Sequence, residues 1–283
     1  MSTIRENIKI NLNGNKIDLN IEQYNSADDV VADCRNRKQN HKEYDVSGED
    51  YDVDWHGVGS YNEALEMLRL GYQPTVDKLK TALKASVMGN GKRVRFENNV
   101  YGFAPVVPLA MQGIPNNMIN MTMKPMKCKV VDVYYDMGVN AFTSPSEIIK
   151  AGQKLLGVII NLEKQGYRFN LYAVQAYSSN NTADMLCVKV KSADKPLDLK
   201  RISFPLTHPA FFRVIGFDWQ GKSPVARYRG TGRGRALTSE ISNSDAKEFA
   251  KQAFGNNAVY LSCNSMIRTD ENYLKEVLTN VNK

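Results

Sequence analysis

The chain reads as an α/β protein. It is expected to hold a mostly parallel sheet with an antiparallel hairpin at its edge, flanked by helices, with an N-terminal α+β elaboration. Two observations predict this. Residues 129–135 are a β-branched and aromatic run, and they are followed by a long amphipathic helix pattern and then by a second such run at 167–177. The loop from that second run to the next, at 185–190, is too short for a helical crossover, so those two runs must pair as a hairpin.

In chain order, residues 8–19 alternate polar and apolar around Asn13 and Gly14, the pattern of a hairpin. Residues 35–54 are strongly polar and read as an exposed loop, and its acidic group Glu49, Asp50, Asp52 and Asp54 reads as solvated. Ser60 and Glu63 form a capping-box signature before Ala64, Leu65 and Leu68, with Gly71 as the stop. Pro74 opens a second helix with Val76, Leu79, Leu83 and Val87 on one face. Residues 89–96 read as a turn into a strand, and 102–118, punctuated by Pro and Gly, as an ordered but irregular connector.

The core unit follows. After the 129–135 strand, Ser144, Pro145 and Glu147 start a helix whose Ile148, Ile149, Leu155, Leu156, Ile159, Ile160 and Leu162 make one wide apolar face, with Gly166 as its stop. A crossover through this helix makes the strands at 129–135 and 167–177 parallel neighbours. Beyond the hairpin, helices are expected at 209–215, 242–254 and 269–281, and a strand at 258–263. The chain divides into an N-terminal arm and polar loop (1–54), a helical pair with connector (55–126) and an α/β core (127–283).

Composition narrows the classes. With 42% hydrophobic and 24% charged residues over 283 positions, the chain can bury a sizeable core. No apolar run is long enough to span a bilayer, and the first residues lack the basic head and apolar segment of a secretion signal, so neither a membrane nor secretion is expected. The four cysteines, Cys34, Cys128, Cys187 and Cys263, are far apart without a CxxC pair, which fits a reducing compartment and argues against zinc. The net charge of +7 favours approach to acidic surfaces without establishing a partner.

A parallel strand–helix–strand unit running straight into an antiparallel hairpin resembles the von Willebrand factor A-like domain over residues 127–283. In the metal-binding members of that family the first strand ends in an Asp-x-Ser-x-Ser pattern that holds a divalent ion. Here the resemblance implies Asp136 as the aspartate, while Gly138 and Asn140 stand where hydroxyl residues would be. Asp136 and the Asn140 amide oxygen are then the candidate ligands for Mg2+, and Gly138 contributes no side chain. Separately, Trp55, Gly57, Glu63, Ala64 and Gly71, together with residues 113–118, are similar to an uncharacterised family encoded by bacteriophages. That resemblance implies a viral protein located in the host cytoplasm or the virion. It carries over no activity and no functional residues.

Outside that centre, Arg227, Tyr228, Arg229, Arg233 and Arg235, interleaved with glycines, form a candidate anion or nucleic-acid contact. Arginine forks match phosphate oxygens, and a tyrosine can stack on a base. The glycine spacing does not fit a dinucleotide fingerprint, and a solvated loop is the plain alternative. His56 and His208 have no partner Ser or Cys in a nucleophile motif and read as structural. The methionines 111, 118, 121, 123 and 126 are expected under the sheet, with a partner interface as the sharper alternative. The expected function is therefore a non-enzymatic protein, with no required cofactor, that binds a macromolecular partner or itself. A nucleic-acid-binding protein using 227–235 and a metal-dependent enzyme at Asp136 stand as alternatives.

Overall fold

The computed structural model describes residues 4–12, 14–40, 46, 51–84, 92–125, 128–179, 181–226, 235–237, 241–242 and 244–281. The chain begins with an antiparallel hairpin, β1 (Ile4–Leu12) and β2 (Asn15–Tyr24), turned at Gly14 with φ +90°. Four helices follow: α1 (Ala27–Asn36), α2 (Val53–His56), α3 (Tyr61–Leu70) and α4 (Gln73–Lys84). Next comes a small unit of β3 (Lys92–Asn99), β4 (Ala104–Pro105), α5 (Val107–Met111) and β5 (Met118–Pro125). The core unit is β6 (Lys129–Asp136), α6 (Pro145–Lys164), β7 (Tyr167–Ser179) and β8 (Thr182–Lys191). After it run α7 (Leu199–Thr207), a π-helical segment (Phe211–Gly216), α8 (Phe217–Lys222), β9 (Arg235–Ala236), α9 (Ala246–Phe254), β10 (Ala258–Ser262), α10 (Cys263–Arg268) and α11 (Glu271–Thr279).

The core unit forms as its pattern predicts. Ser144 accepts from the Glu147 amide while the Glu147 side chain accepts from the Ser144 amide, closing a capping box at the start of α6. β6 and β7 pair in parallel, Lys129 opposite Tyr167 through Asp136 opposite Val174, and β7 turns back antiparallel into β8.

The sheet as a whole departs from expectation in two ways. Its strand order is β1-β2-β8-β7-β6-β10, and β2 pairs in parallel with β8, so the β7–β8 hairpin lies inside the sheet and not at its edge. Three of its pairings are parallel and three antiparallel, so the sheet is mixed rather than mostly parallel. The physical reason lies in β2: Leu19 and Ile21 on one side and Glu22 and Tyr24 on the other are all buried, so this strand needs cover on both faces. The hairpin expected as a peripheral arm thus supplies two strands of the main sheet.

Two apolar clusters sandwich that sheet. One lies under the helical layer, joining α6, α7, α10, α11 and the N-terminal helices to Val131, Val133, Phe169 and Leu171. The other fills the concave face, from Ile10, Leu19 and Ile21 at the β1–β2 end to Tyr134, Tyr172 and Tyr260 at the β10 end. The sheet curls enough for α9 to serve both ends: Phe249 meets Tyr260, and the Gln252 side chain bonds both the N–H and the C=O of Asn11 in β1.

Two elements were not legible in advance. α7 contains Pro205, which disguises a helix. Cys263, expected as the last residue of a strand, instead opens α10, which is capped by the Ser262 hydroxyl. The helix expected at 209–215 forms as the π-helical segment at Phe211–Gly216. Among the described residues no helix is long and apolar enough to cross a membrane.

Candidate functional site

In an open α/β sheet, ligands bind beyond the carboxyl ends of the strands where the strand order reverses. Here that place is the end of β6, between β7 and β10, and Asp136 stands on it. Its carboxylate is fully buried. One oxygen accepts from the Gly138 amide at 2.7 Å, an Asx-type turn, and the other from the Tyr260 hydroxyl at 2.5 Å. Burial pushes the carboxyl up to about 7, against the lowering effect of the Tyr260, Gly138 and Ala176 hydrogen bonds.

The crevice above Asp136 is also closed by chain. β9 pairs antiparallel with Tyr177 and Ser178 of β7. β8 holds the other edge of β7 at those residues, so β9 lies on the β6 side, directly beyond the last β6 pair. A Cβ added to Gly138 would come within 3.7 Å of the Ala236 Cβ. Asn140, in contrast, is exposed, and its carbonyl accepts from the Thr143 amide. Asp136 is sealed and internally satisfied, Asn140 is exposed, and Gly138 has no side-chain ligand, so the two candidate ligands sit in different environments and suit a divalent ion poorly. Among the described residues no group of three or more His, Cys, Asp or Glu side chains is placed to hold a metal.

Of the Arg/Gly segment, Arg227, Tyr228, Arg229 and Arg233 lie outside the described residues. Arg235 is exposed on β9. His208 is buried against Tyr72 and Phe204, its Nδ1 accepts from the Ala210 amide, and desolvation lowers it to about 4, so it is neutral. His56 is buried between the Tyr51 and Trp55 rings.

Two buried ionic groups gave no signal in the sequence. Arg213, in the π-helical segment, stacks over Trp55 at 4.4 Å and donates to the carbonyls of Trp55 and Thr143, tying α2 and the loop after β6 to the helical layer. Desolvation lowers it to about 10. Glu22, in β2, is fully buried and accepts from Arg37 (2.6 and 3.1 Å), Arg5 (3.2 Å), Trp219 (2.7 Å) and Ser223 (2.6 Å). Burial alone would raise its carboxyl, but the Arg37, Ser223 and Trp219 contacts outweigh it and hold the group low. Both hold distant segments of the chain together.

The surface that stands out is the small unit at 92–125. Its sheet, in the order β3-β5-β4, is separate from the main one, and none of its described side chains belongs to either apolar cluster. Gly102 lets the chain cross β5: a Cβ there would lie 2.1 Å from the Ile119 carbonyl oxygen. Large apolar side chains on this unit face solvent, among them Phe96, Tyr101, Phe103 (67% exposed), Val107, Met111 (84%) and Met121. Phe96 on β3 sits opposite Met121 on β5, and the Phe96 and Phe103 rings meet edge to face. Met111 and Met121 are thus on the surface rather than under the main sheet, because the described side chains of the unit that carries them join neither apolar cluster. Pro105 sits on one edge strand, and Lys92, Arg93 and Arg95 are in the other. Both devices discourage strand addition at the edges.

The geometry defines a class: a mixed α/β protein with a sealed switch point and a projecting apolar arm. Residues 8–282 match the family described as a domain of unknown function (DUF7192), and the chain belongs to that family. No curated protein and no solved structure matches it.

Proposed function

We propose that this chain is a non-enzymatic protein that holds a macromolecular partner, with residues 92–125 as the contact surface. One observation carries the reading: eight of the thirteen large apolar side chains exposed among the described residues lie on this one unit. A concentration of exposed apolar side chains of this kind, with Phe96, Phe103 and Met121 side by side, marks an interaction site. By sequence the unit holds four basic residues against one acidic residue, a charge balance that suits a partner of acidic and apolar character. The sealed carboxylate at the switch point supports a role without catalysis. The setting, a virion or an infected bacterial host, follows from the resemblance to phage-encoded proteins.

A von Willebrand A-like core is part of the same reading. Its support is the order β8-β7-β6-β10, in which the first strand of the unit is central, the second is parallel to it, the third is antiparallel, and a later strand joins the far side.

The test places a photo-crosslinking phenylalanine at Phe103 in the full chain and exposes it to lysate from infected cells. One defined adduct, lost when Phe96→Ser and Met121→Ser are added, is the expected result. An absence of adducts, together with salt-dependent nucleic-acid retention that Arg227→Ala, Arg229→Ala, Arg233→Ala and Arg235→Ala abolish, would replace this reading with the nucleic-acid one.

A further inference from the structure

The two edges of the main sheet are built differently. β1 carries Arg5, Glu6 and Lys9, and α9 satisfies the Asn11 backbone through Gln252. β10, the opposite edge, has the sequence AVYLS: no charge, no proline, no bulge. Such an edge invites a further strand unless something covers it.

Its backbone register shows what it offers. The Asp132 amide donates to the Asn257 carbonyl at 3.0 Å, so in this parallel ladder residues 257, 259 and 261 of β10 bond to β6. Tyr260 therefore turns its N–H and C=O, and Ser262 its N–H, to the open side, where no described strand pairs with them. That edge floors a groove of about 650 Å3 lined by all five β10 residues. Lys247 and Lys251 of α9 stand on one wall, and Tyr273, Glu276 and Val277 of α11, with Val281, on the other. At about 3.3 Å per residue the edge is roughly 16 Å long, enough for a short strand.

We propose that this groove accepts an extended peptide segment of a partner protein as an added strand, with acidic and apolar side chains alternating along it. The alternation follows from the walls. Successive side chains of an extended strand point to opposite faces. One set meets the two lysines, and the other meets Tyr273, Val277 and Val281, where Glu276 repels a further carboxylate. Main-chain hydrogen bonds give such a complex its affinity, and the walls give it its selectivity. A second copy would have to bring its own α9 and α11 against these walls, so a partner's peptide is the better occupant. The groove is built from elements distinct from the 92–125 unit and stands or falls independently of it.

The experiment uses the full chain and a fluorescein-labelled peptide of about seven residues alternating glutamate and valine. Saturable binding is expected, with amide exchange slowed at Tyr260 and Ser262. Lys251→Glu, an exposed position, weakens binding about fivefold. The same peptide N-methylated at alternate amides does not bind. Equal binding by the N-methylated peptide, or unchanged exchange at Tyr260, would overturn strand addition. Equal binding by a peptide alternating lysine and valine would overturn the acidic assignment. Protection of Tyr260 that rises with protein concentration in the absence of peptide would make the occupant a second copy and overturn the proposal.

Discussion

Phe169 in β7 and Phe96 in β3 are both strand phenylalanines, yet the first is fully buried and the second 65% exposed. The difference lies in their sheets. The seven-stranded sheet has helices on one face, and its own curl with α9 covers the other, so every inward side chain finds neighbours. Among the described residues, no side chain of the three-stranded sheet joins either apolar cluster. A small sheet gains independent stability by packing an apolar face against something, and the described body gives this one no share of its core. Glu22 in the body has five hydrogen-bond donors, while the aromatic side chains of the small sheet stay exposed.

The comparison predicts that the body is sensitive and the arm tolerant. The largest expected effect is at Glu22. Glu22→Ala leaves Trp219 and Ser223 without their acceptor and Arg37 with only Asp33, and it should cost about 3 kcal/mol in urea unfolding. A loss below about 0.5 kcal/mol would show the body to be as forgiving as the arm.

Asp136 gives a smaller effect with a distinctive pH signature. Its carboxyl is raised in the folded state, to about 7 from the ordinary value of 3.8. The folded protein therefore binds a proton more tightly than the unfolded chain does. That contribution is fully present below pH 3.8 and is lost as pH rises through 7. Asp136→Asn should remove the dependence and stabilise the protein by about 2 kcal/mol at pH 8, with little change at pH 4. Thermal melts across that range check it, and parallel curves for the two proteins would rule out a buried, proton-holding carboxyl. Glu22 has the opposite sign: its carboxyl is lowered, so its contribution is present above the ordinary value of 4.5 and is lost as pH falls through its depressed value.

The smallest expected effect is in the arm. Phe96→Ser with Met121→Ser should change global stability by less than about 0.5 kcal/mol, since neither side chain leaves a cavity. A larger loss would mean that the unit packs on the body in solution, and it would erase the contrast on which the proposed contact surface rests.

What the sequence determined by itself was local. The capping box at Ser144 and Glu147, the apolar stripe of α6, the β-branched runs of β6 and β7 and the Gly14 turn each encode their element through short-range hydrogen bonding and periodicity. The same short-range view could not see what those elements would meet. That β2 would join β8, that Glu22 would be sealed by Arg37 and Trp219, that β9 would close the crevice over Asp136, and that Met111 and Met121 would face solvent depend on partners 15 to about 200 positions away. Burial and ionic pairing are properties of the packed whole, and strand patterns are read the same way whether or not a second layer arrives to cover them. Only the tertiary structure decided which apolar residues became core and which were left as surface.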